Sequence, residues 1–451
     1  MKIVMIGGGG ACIVAANTLR VLGNKAQIDI YTRRDKTAYT PCEQPFVLRN
    51  VLSFDDMFYA TLPWFEKKGI GLHLETEVTA IDRQKKVIIA NGEAVPYDIL
   101  LVNTGSVPKI PDIPGLSGDR VFTLTTELKH AHALEAVIPR CKRAAILGAG
   151  AIGLEMAETL VKKGYDAVHL IVSSPHIMSR LLDPDMAEKA HPFITEGGVD
   201  LRLSTSVTKV ERHGDSLTLS LTDGASLEVD FILVAKGVRP NVDLARDAGL
   251  KIGTTGGIEV NPYLQTSDPA IYAAGDCMEG WDMLTGEKTL TALATFSNRT
   301  GRTVGRNIHF GNTVPFMGAI GTLGTEVFGQ TIASVGMTER AAAKRGLSVV
   351  SAVRKGMTRK VMFDGHPLWL KLVADTARQV LVGAQFLGPR EVSRMAEKVI
   401  VLMGEKVVLG RISQYENIFS PPLGMAYEPV TMVTDILISQ LIKEGIDVVW
   451  E

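Results

Sequence analysis

Apolar and polar positions follow one order twice along the chain. The run Lys2–Ile6 is apolar and strand-sized. Glycines Gly7 to Gly10 interrupt it, Ile13–Leu22 then carries helix-spaced apolar residues, and Ala26–Tyr31 is a second strand-like run. The order returns as Arg143–Leu147, the turn Gly148–Gly153, the helical stretch Leu154–Lys163 and the strand Ala167–Val172. Both predict strand–helix–strand units, each opening with a glycine-rich turn. Strands are also expected at Val78–Asp82, Lys86–Ala90 and Tyr97–Asn103. From about Gly318 the pattern changes. Short β-branched runs at Gln330–Val335, Ser348–Ala352, Leu368–Val373 and Gln379–Gln385 predict an antiparallel sheet, followed by helices at Arg390–Met403 and Thr431–Lys443.

The two breaks between strand and helix have a shared chemistry. Gly148-Ala149-Gly150-Ala151-Ile152-Gly153 is a complete GxGxxG turn. Gly7-Gly8-Gly9-Gly10-Ala11-Cys12 matches it except at the last position, where Cys12 is small enough for close helix–strand packing. Such glycines let backbone approach a pyrophosphate lying on the helix N-terminus. Two copies, each in strand–turn–helix context, predict two dinucleotide sites. The expected fold class is α/β, with two Rossmann-like dinucleotide-binding domains and a C-terminal α+β domain.

Composition narrows the function. A length of 451 residues suggests about three domains. Lys+Arg total 48 against 49 Asp+Glu, so no basic stripe is available for nucleic acid. No apolar run reaches the ~18 residues of a membrane span, and the N-terminus opens on a strand rather than a signal-peptide pattern, so a cytoplasmic protein is expected. The cysteines are Cys12, Cys42, Cys141 and Cys277, with no CxxC and no zinc spacing. A disulfide scaffold, a structural metal site and a [4Fe–4S] cluster held by this chain alone are disfavoured. Any cysteine chemistry must come from single thiols.

Three further segments carry a family resemblance. They are Leu101-Val102-Asn103-Thr104-Gly105-Ser106, Lys236-Gly237-Val238-Arg239-Pro240-Asn241, and Ser267-Asp268-Pro269-Ala270-Ile271-Tyr272-Ala273-Ala274-Gly275-Asp276. With the two glycine turns, they make the chain resemble the FAD/NAD(P)-dependent pyridine nucleotide–disulfide oxidoreductase superfamily over its whole length. It is most similar to the branch holding coenzyme A disulfide reductase, NADH oxidase and NADH:polysulfide reductase. The resemblance implies a discontinuous FAD domain at 1–112 and 243–317, a NAD(P) domain at 113–242 and a dimerisation domain at 318–451. The Pro-rich connection Pro108, Pro111, Pro114 and the return at Val238-Arg239-Pro240 are the expected boundaries. The motif ending at Asp276 is expected to be a strand leading into a helix N-terminus, with Asp276 accepting a hydrogen bond from a ribitol hydroxyl.

Implied cofactor contacts are Gly7, Gly9, Gly10, Ala11, Thr32, Arg33, Val78, Thr104, Gly105, Asp276, Ala294, Gly148, Gly150, Ile152, Gly153, Glu155, Ser173 and Gly237. The implied cofactors are FAD and NAD(P)H. The implied redox residue is Cys42, in Tyr39-Thr40-Pro41-Cys42-Glu43-Gln44-Pro45-Phe46, where the family carries its cysteine before a proline and an aromatic. A thiolate at a helix start is a better nucleophile at neutral pH. Phe46 and Val47 occupy the places of a second cysteine, so an intrachain dithiol is excluded, leaving a mixed disulfide, persulfide or sulfenate.

The chain departs from the family pattern at several places. Thr32 stands where an acid is usual for the FAD adenosine ribose. Val172, Ser173 and Ser174 supply neither the acid that favours NADH nor the arginine that favours NADPH, and Gly153 leans towards NADH. Gly10 replaces the histidine of peroxidase-like relatives. Phe419, in Phe419-Ser420-Pro421-Pro422-Leu423, replaces a tyrosine and cannot donate a proton. Glu43 puts a carboxylate beside Cys42, opposing thiolate formation.

Two enzymatic readings result. In one, electrons pass through FAD and Cys42 to a disulfide, polysulfide or oxygen. In the other, the chain is the NAD(P)H-oxidising flavoprotein subunit of a larger complex, such as a 2-oxoacid:acceptor oxidoreductase, with an iron–sulfur partner protein. The loop Met278–Lys288, carrying Trp281, is then a candidate docking surface. A homodimer fits the first reading and a hetero-complex the second.

Overall fold

Ile3, Val4 and Met5 have no exposed surface, because the strand Lys2–Ile6 lies at the centre of a five-stranded sheet and both its faces are covered. The computed structural model describes residues 1–451. They form two compact units.

The first unit comprises Met1–Lys109, Thr125–His132 and Gly237–Ala319. Its sheet runs Ile271–Ala273, Ile99–Val102, Lys2–Ile6, Gln27–Tyr31, Ile70–His73, all parallel. Helix Gly10–Val21 crosses helix Ala294–Phe310 closely, through Ala11 and Ala15 on one and Gly301 and Gly305 on the other. A three-stranded meander spans Val78–Asp82, Val87–Ala90 and Glu93–Pro96. Two short strands, Ser106–Pro108 and Val238–Pro240, pair antiparallel where the chain leaves the unit and returns.

The motif ending at Asp276 differs from the expectation of a strand running into a helix. Strand Ile271–Ala273 leads into a single 3-10 turn, Gly275–Cys277, and then a short hairpin, Gly280–Trp281 with Lys288–Thr289. The hairpin intervenes because Trp281 turns inward: it packs edge-to-face on Phe316, centroids 5.5 Å apart, at the margin of the core. The Trp281 side chain is thus spent on the fold, while residues 286–288 of the same loop are exposed. The long helix begins only at Ala294.

The second unit comprises Ile110–Leu124, Ala133–Lys236 and Ile320–Glu451. Its parallel sheet runs Asp200–Arg202, Ala167–Ile171, Arg143–Leu147, Phe231–Val234, Val121–Phe122. A meander of Val207–His213, Ser216–Leu221 and Ser226–Val229 lies beyond it; its half-exposed strands left only a weak apolar signal. The C-terminal sheet is antiparallel, in the order Thr322–Val327, Gln330–Gly336, Val380–Gly388, Pro367–Asp375, Val349–Met357. Helices Val392–Gly404 and Pro429–Lys443 pack on it. Sequence reading found four of its strands and missed Thr322–Val327, whose Thr, Gly and Glu dilute the β signal.

Candidate active site

The first glycine turn is shaped by a near contact. Gly7 sits at φ +107, and a side-chain carbon there would lie 2.0 Å from the Asn103 carbonyl oxygen. Only glycine fits. Gly9 precedes helix Gly10–Val21 without capping it, so no side chain covers the first amides of that helix. Beside the turn, the amide nitrogen Nδ2 of Asn103 is buried without a hydrogen-bond partner. An orphaned donor in a glycine cradle next to uncapped helix amides fits a polar, phosphate-bearing ligand such as FAD. Sequence reading quoted Asn103 only as part of a motif. Its position opposite Gly7 is set by the pairing of Lys2–Ile6 with Ile99–Val102.

Several expected contacts converge here. Ala11 lies at Gly275, and Gly10 at Asn298, on the next long helix. Asp276 accepts hydrogen bonds from Ser106 (2.9 Å) and Ser297 (3.2 Å). Burial pushes its carboxyl above the usual range, and the two hydroxyls offset part of that push. Thr32 is buried, its Oγ1 3.0 Å from where a Gly8 side chain would begin. Thr104 donates to the Asn241 carbonyl, and the Gly105 carbonyl accepts from Asn241 N (2.9 Å), so both tie the two crossing strands together. Gly237 receives Lys109 N on its carbonyl at 2.8 Å in the same place. Arg33 is held by Glu127 at 2.6 Å and reaches Glu77 at 3.8 Å. Burial disfavours the Glu127 charge, but Lys129 and Arg33 outweigh it and hold the carboxyl near 2. Val78 packs on the core margin, and Ala294 is exposed at the start of its helix.

Cys42 is exposed on the 3-10 turn Pro41–Glu43, just before the short helix Gln44–Leu48. Thr37 ties the start of this loop to the glycine turn, donating to the Gly8 carbonyl at 2.5 Å. Tyr39 donates to the Thr126 carbonyl, and Gln44 to that of Thr125 at 2.7 Å. Cys12, Cys141 and Cys277 are all buried, and burial pushes all three thiols up. Cys42 is therefore the one exposed thiol of the four. The Glu43 carboxyl is also pushed up, by burial and by Asp56.

The second glycine turn repeats the cradle. Gly150 precedes helix Ala151–Lys162 and no side chain caps it. Gly148 lies at φ +114 under Ala235. A side-chain carbon on Gly153 would lie 2.0 Å from the Gly148 carbonyl oxygen, so helix–strand packing alone demands this glycine. Ile152 is 46% exposed on the first turn of the helix. Glu155 accepts a hydrogen bond from Thr325 at 2.6 Å. Ser173 is exposed at the carboxyl edge of the sheet, where Lys236 Nζ lies 3.5 Å from its Oγ. Lys236 and Thr325 were not singled out from the sequence, since neither belongs to a glycine turn.

Residues 1–296 match the model of the pyridine nucleotide-disulphide oxidoreductases, and 325–416 match that family's dimerisation domain. The chain belongs to this family. As a pyridine nucleotide-disulphide oxidoreductase it is a FAD-dependent NAD(P)H oxidoreductase of the expected α/β fold class. It is similar to an NADH oxidase of Methanocaldococcus jannaschii, 32% identical across 98% of this chain and 99% of that one. It is also similar to an NAD(P)H coenzyme A polysulfide/persulfide reductase of Pyrococcus horikoshii, 29% identical over 97% and 98% of the two chains. Among solved structures, a NAD-dependent persulfide reductase from A. fulgidus superposes with a TM-score of 0.93 at 30% identity, over 99% of this chain and 84% of that one. No helix of this oxidoreductase is long and apolar enough to cross a membrane.

Proposed function

We propose that this oxidoreductase passes electrons from NAD(P)H through FAD to Cys42, and from Cys42 to a disulfide or polysulfide, with oxygen as the other acceptor. The observation that carries this reading is the exposure of Cys42 on a loop tied to the glycine turn through Thr37 and Gly8. FAD would be held by the Gly7–Ala11 turn, Thr32, Asn103 and Asp276, and NAD(P)H by the Gly148–Gly153 turn, Glu155 and Ser173. When bound, the two cofactors supply a pair of electrons as hydride chemistry; the chain supplies position and charge.

The chain's own step is thiol exchange. The Cys42 thiolate attacks an S–S bond of the acceptor; a bond forms from its Sγ to one sulfur, and the other leaves as thiolate. Two electrons and one proton then return Cys42 to thiolate and release the held sulfur as a thiol. The family's domain boundaries, 1–112 with 243–317, 113–242 and 318–451, are part of this proposal. So are a cytoplasmic location and a homodimer built through the C-terminal domain.

Electron delivery to an iron–sulfur partner in a hetero-complex is the second reading. It rests on Phe419, which offers no hydroxyl and is 52% exposed. Anaerobic NADH titration of the wild type and of Cys42→Ser decides between the two. Uptake of more than one NADH per FAD, with a long-wavelength band that Cys42→Ser loses, supports the thiol route. One NADH per FAD in both proteins, without that band, rejects it.

A further inference from the structure

We infer that Lys236 and Ser173 form a subsite for the 2′-phosphate of NADPH, so that the enzyme accepts NADPH as well as NADH. The inference deepens the proposed function and rests on its assignment of the second glycine turn to NAD(P)H. Lys236 follows strand Phe231–Val234, and Ser173 follows strand Ala167–Ile171. These strands flank Arg143–Leu147, which feeds the glycine turn. Both residues therefore lie at the carboxyl edge of the sheet, where such folds bind their ligands. The Lys236 side chain brings its ammonium to 3.5 Å from Ser173 Oγ.

That ammonium is half-buried and has no carboxylate partner. Burial alone acts on it, lowering its pKa, with no neighbouring acid to offset the cost. Two other cations of this unit are paired: Arg143 with Glu228 and Asp230, Lys371 with Asp183, Asp185 and Glu339. A lone cation of this kind lacks an anion. The pyrophosphate is already served by the glycine turn and the uncapped amides of helix Ala151–Lys162. Ser173, by contrast, stands one residue past the place where a carboxylate would bind the adenosine 2′-hydroxyl and repel a 2′-phosphate. Val172 occupies that place here. The cation therefore lies at the ribose end of the site, and the group that would repel a 2′-phosphate is absent.

The test is calorimetric titration of the full-length, FAD-loaded protein with 2′,5′-ADP and with 5′-ADP. The wild type should bind 2′,5′-ADP about 10-fold or more tightly than 5′-ADP at low salt, the scale of a charge-assisted hydrogen bond. That ratio should shrink as salt is added. Lys236→Met should bring the two affinities within about 2-fold of each other, and Lys236→Arg should restore the gap. Bound flavin absorbance and melting temperature confirm that each variant is folded. Equal loss of both ligands in Lys236→Met would assign the lysine to the pyrophosphate and overturn the inference. Absence of any preference in the wild type would overturn it too. If neither ligand binds nor competes with NADH, the assignment of the second glycine turn fails as well.

Discussion

Thr325 donates a hydrogen bond to Glu155 at 2.6 Å, joining the first strand of the C-terminal sheet to the helix that follows the second glycine turn. Thr325 is 6% exposed, so this bond to a carboxylate is shielded from water. Glu155 is one of the residues proposed to hold NAD(P)H. Its orientation thus depends on a part of the chain that carries no nucleotide motif.

Thr325→Val removes the donor and keeps the shape. A hydrogen bond to a charged group is worth about 1.5–3 kcal/mol, so kcat/KM for NAD(P)H should fall about 10-fold or more. Thr325→Ser, which keeps the hydroxyl, should stay within about 3-fold of the wild type. Steady-state kinetics on both variants check this. Equal behaviour of Val and Ser would mean that the hydroxyl does not position Glu155.

Gly153→Ala puts a carbon 2.0 Å from the Gly148 carbonyl oxygen, a contact that only backbone movement can relieve. Overpacking of this kind costs about 1–3 kcal/mol. The variant should melt several degrees lower and bind NADH and NADPH more weakly by similar factors. Flavin content should be retained, because the Gly7 turn lies in the other unit. A selective gain for NADPH in fluorescence titrations would show that Gly153 reads the cofactor after all.

Asp276 gives a pH dependence with a definite sign. Burial raises its carboxyl above the ordinary value of 3.8, so the folded apoprotein holds this proton more tightly than the unfolded chain. Its contribution to stability is complete below the ordinary aspartate range and is lost as pH rises through the raised value. Asp276→Asn cannot ionise. The stability difference between the wild-type and Asn apoproteins should therefore shift against the wild type over the interval just above 3.8. Chemical denaturation of the two apoproteins at a series of pH values measures it. A difference that stays constant across that interval would contradict the assignment.

Lys371 carries the heaviest charge burial in the second unit. Its side chain is 2% exposed and lies 3.3 Å from Asp183, 3.0 Å from Asp185 and 3.1 Å from Glu339. Burial opposes its charge, but the three carboxylates outweigh that and hold the ammonium above its usual range. Lys371→Met would leave buried Asp183 facing two other acids, which should cost about 3–5 kcal/mol. Adding Asp183→Asn should recover part of the loss, because the remaining burial is then of fewer charges. Urea unfolding of the single and double variants reads both numbers.

Much of this protein was legible in its sequence because short-range patterns wrote it. The paired runs Lys2–Ile6 and Arg143–Leu147, each ending in glycines that only a close backbone approach requires, predicted two nucleotide-binding sheets, and both strands formed with those bounds. The isolation of Cys42 from any second cysteine was equally local, and it excluded an intrachain dithiol before any fold was known. Tertiary structure decided what depends on residues far apart in the chain. It left Cys42 exposed while burying Cys12, Cys141 and Cys277, and it placed Thr325 on Glu155 and Lys236 beside Ser173. It also packed Trp281 against the margin of the core and gave Gly153 a packing role of its own. Periodicity and turn chemistry act between neighbours in sequence, whereas burial, charge pairing and side-chain reach act between neighbours in space, which only strand order and helix crossing bring together.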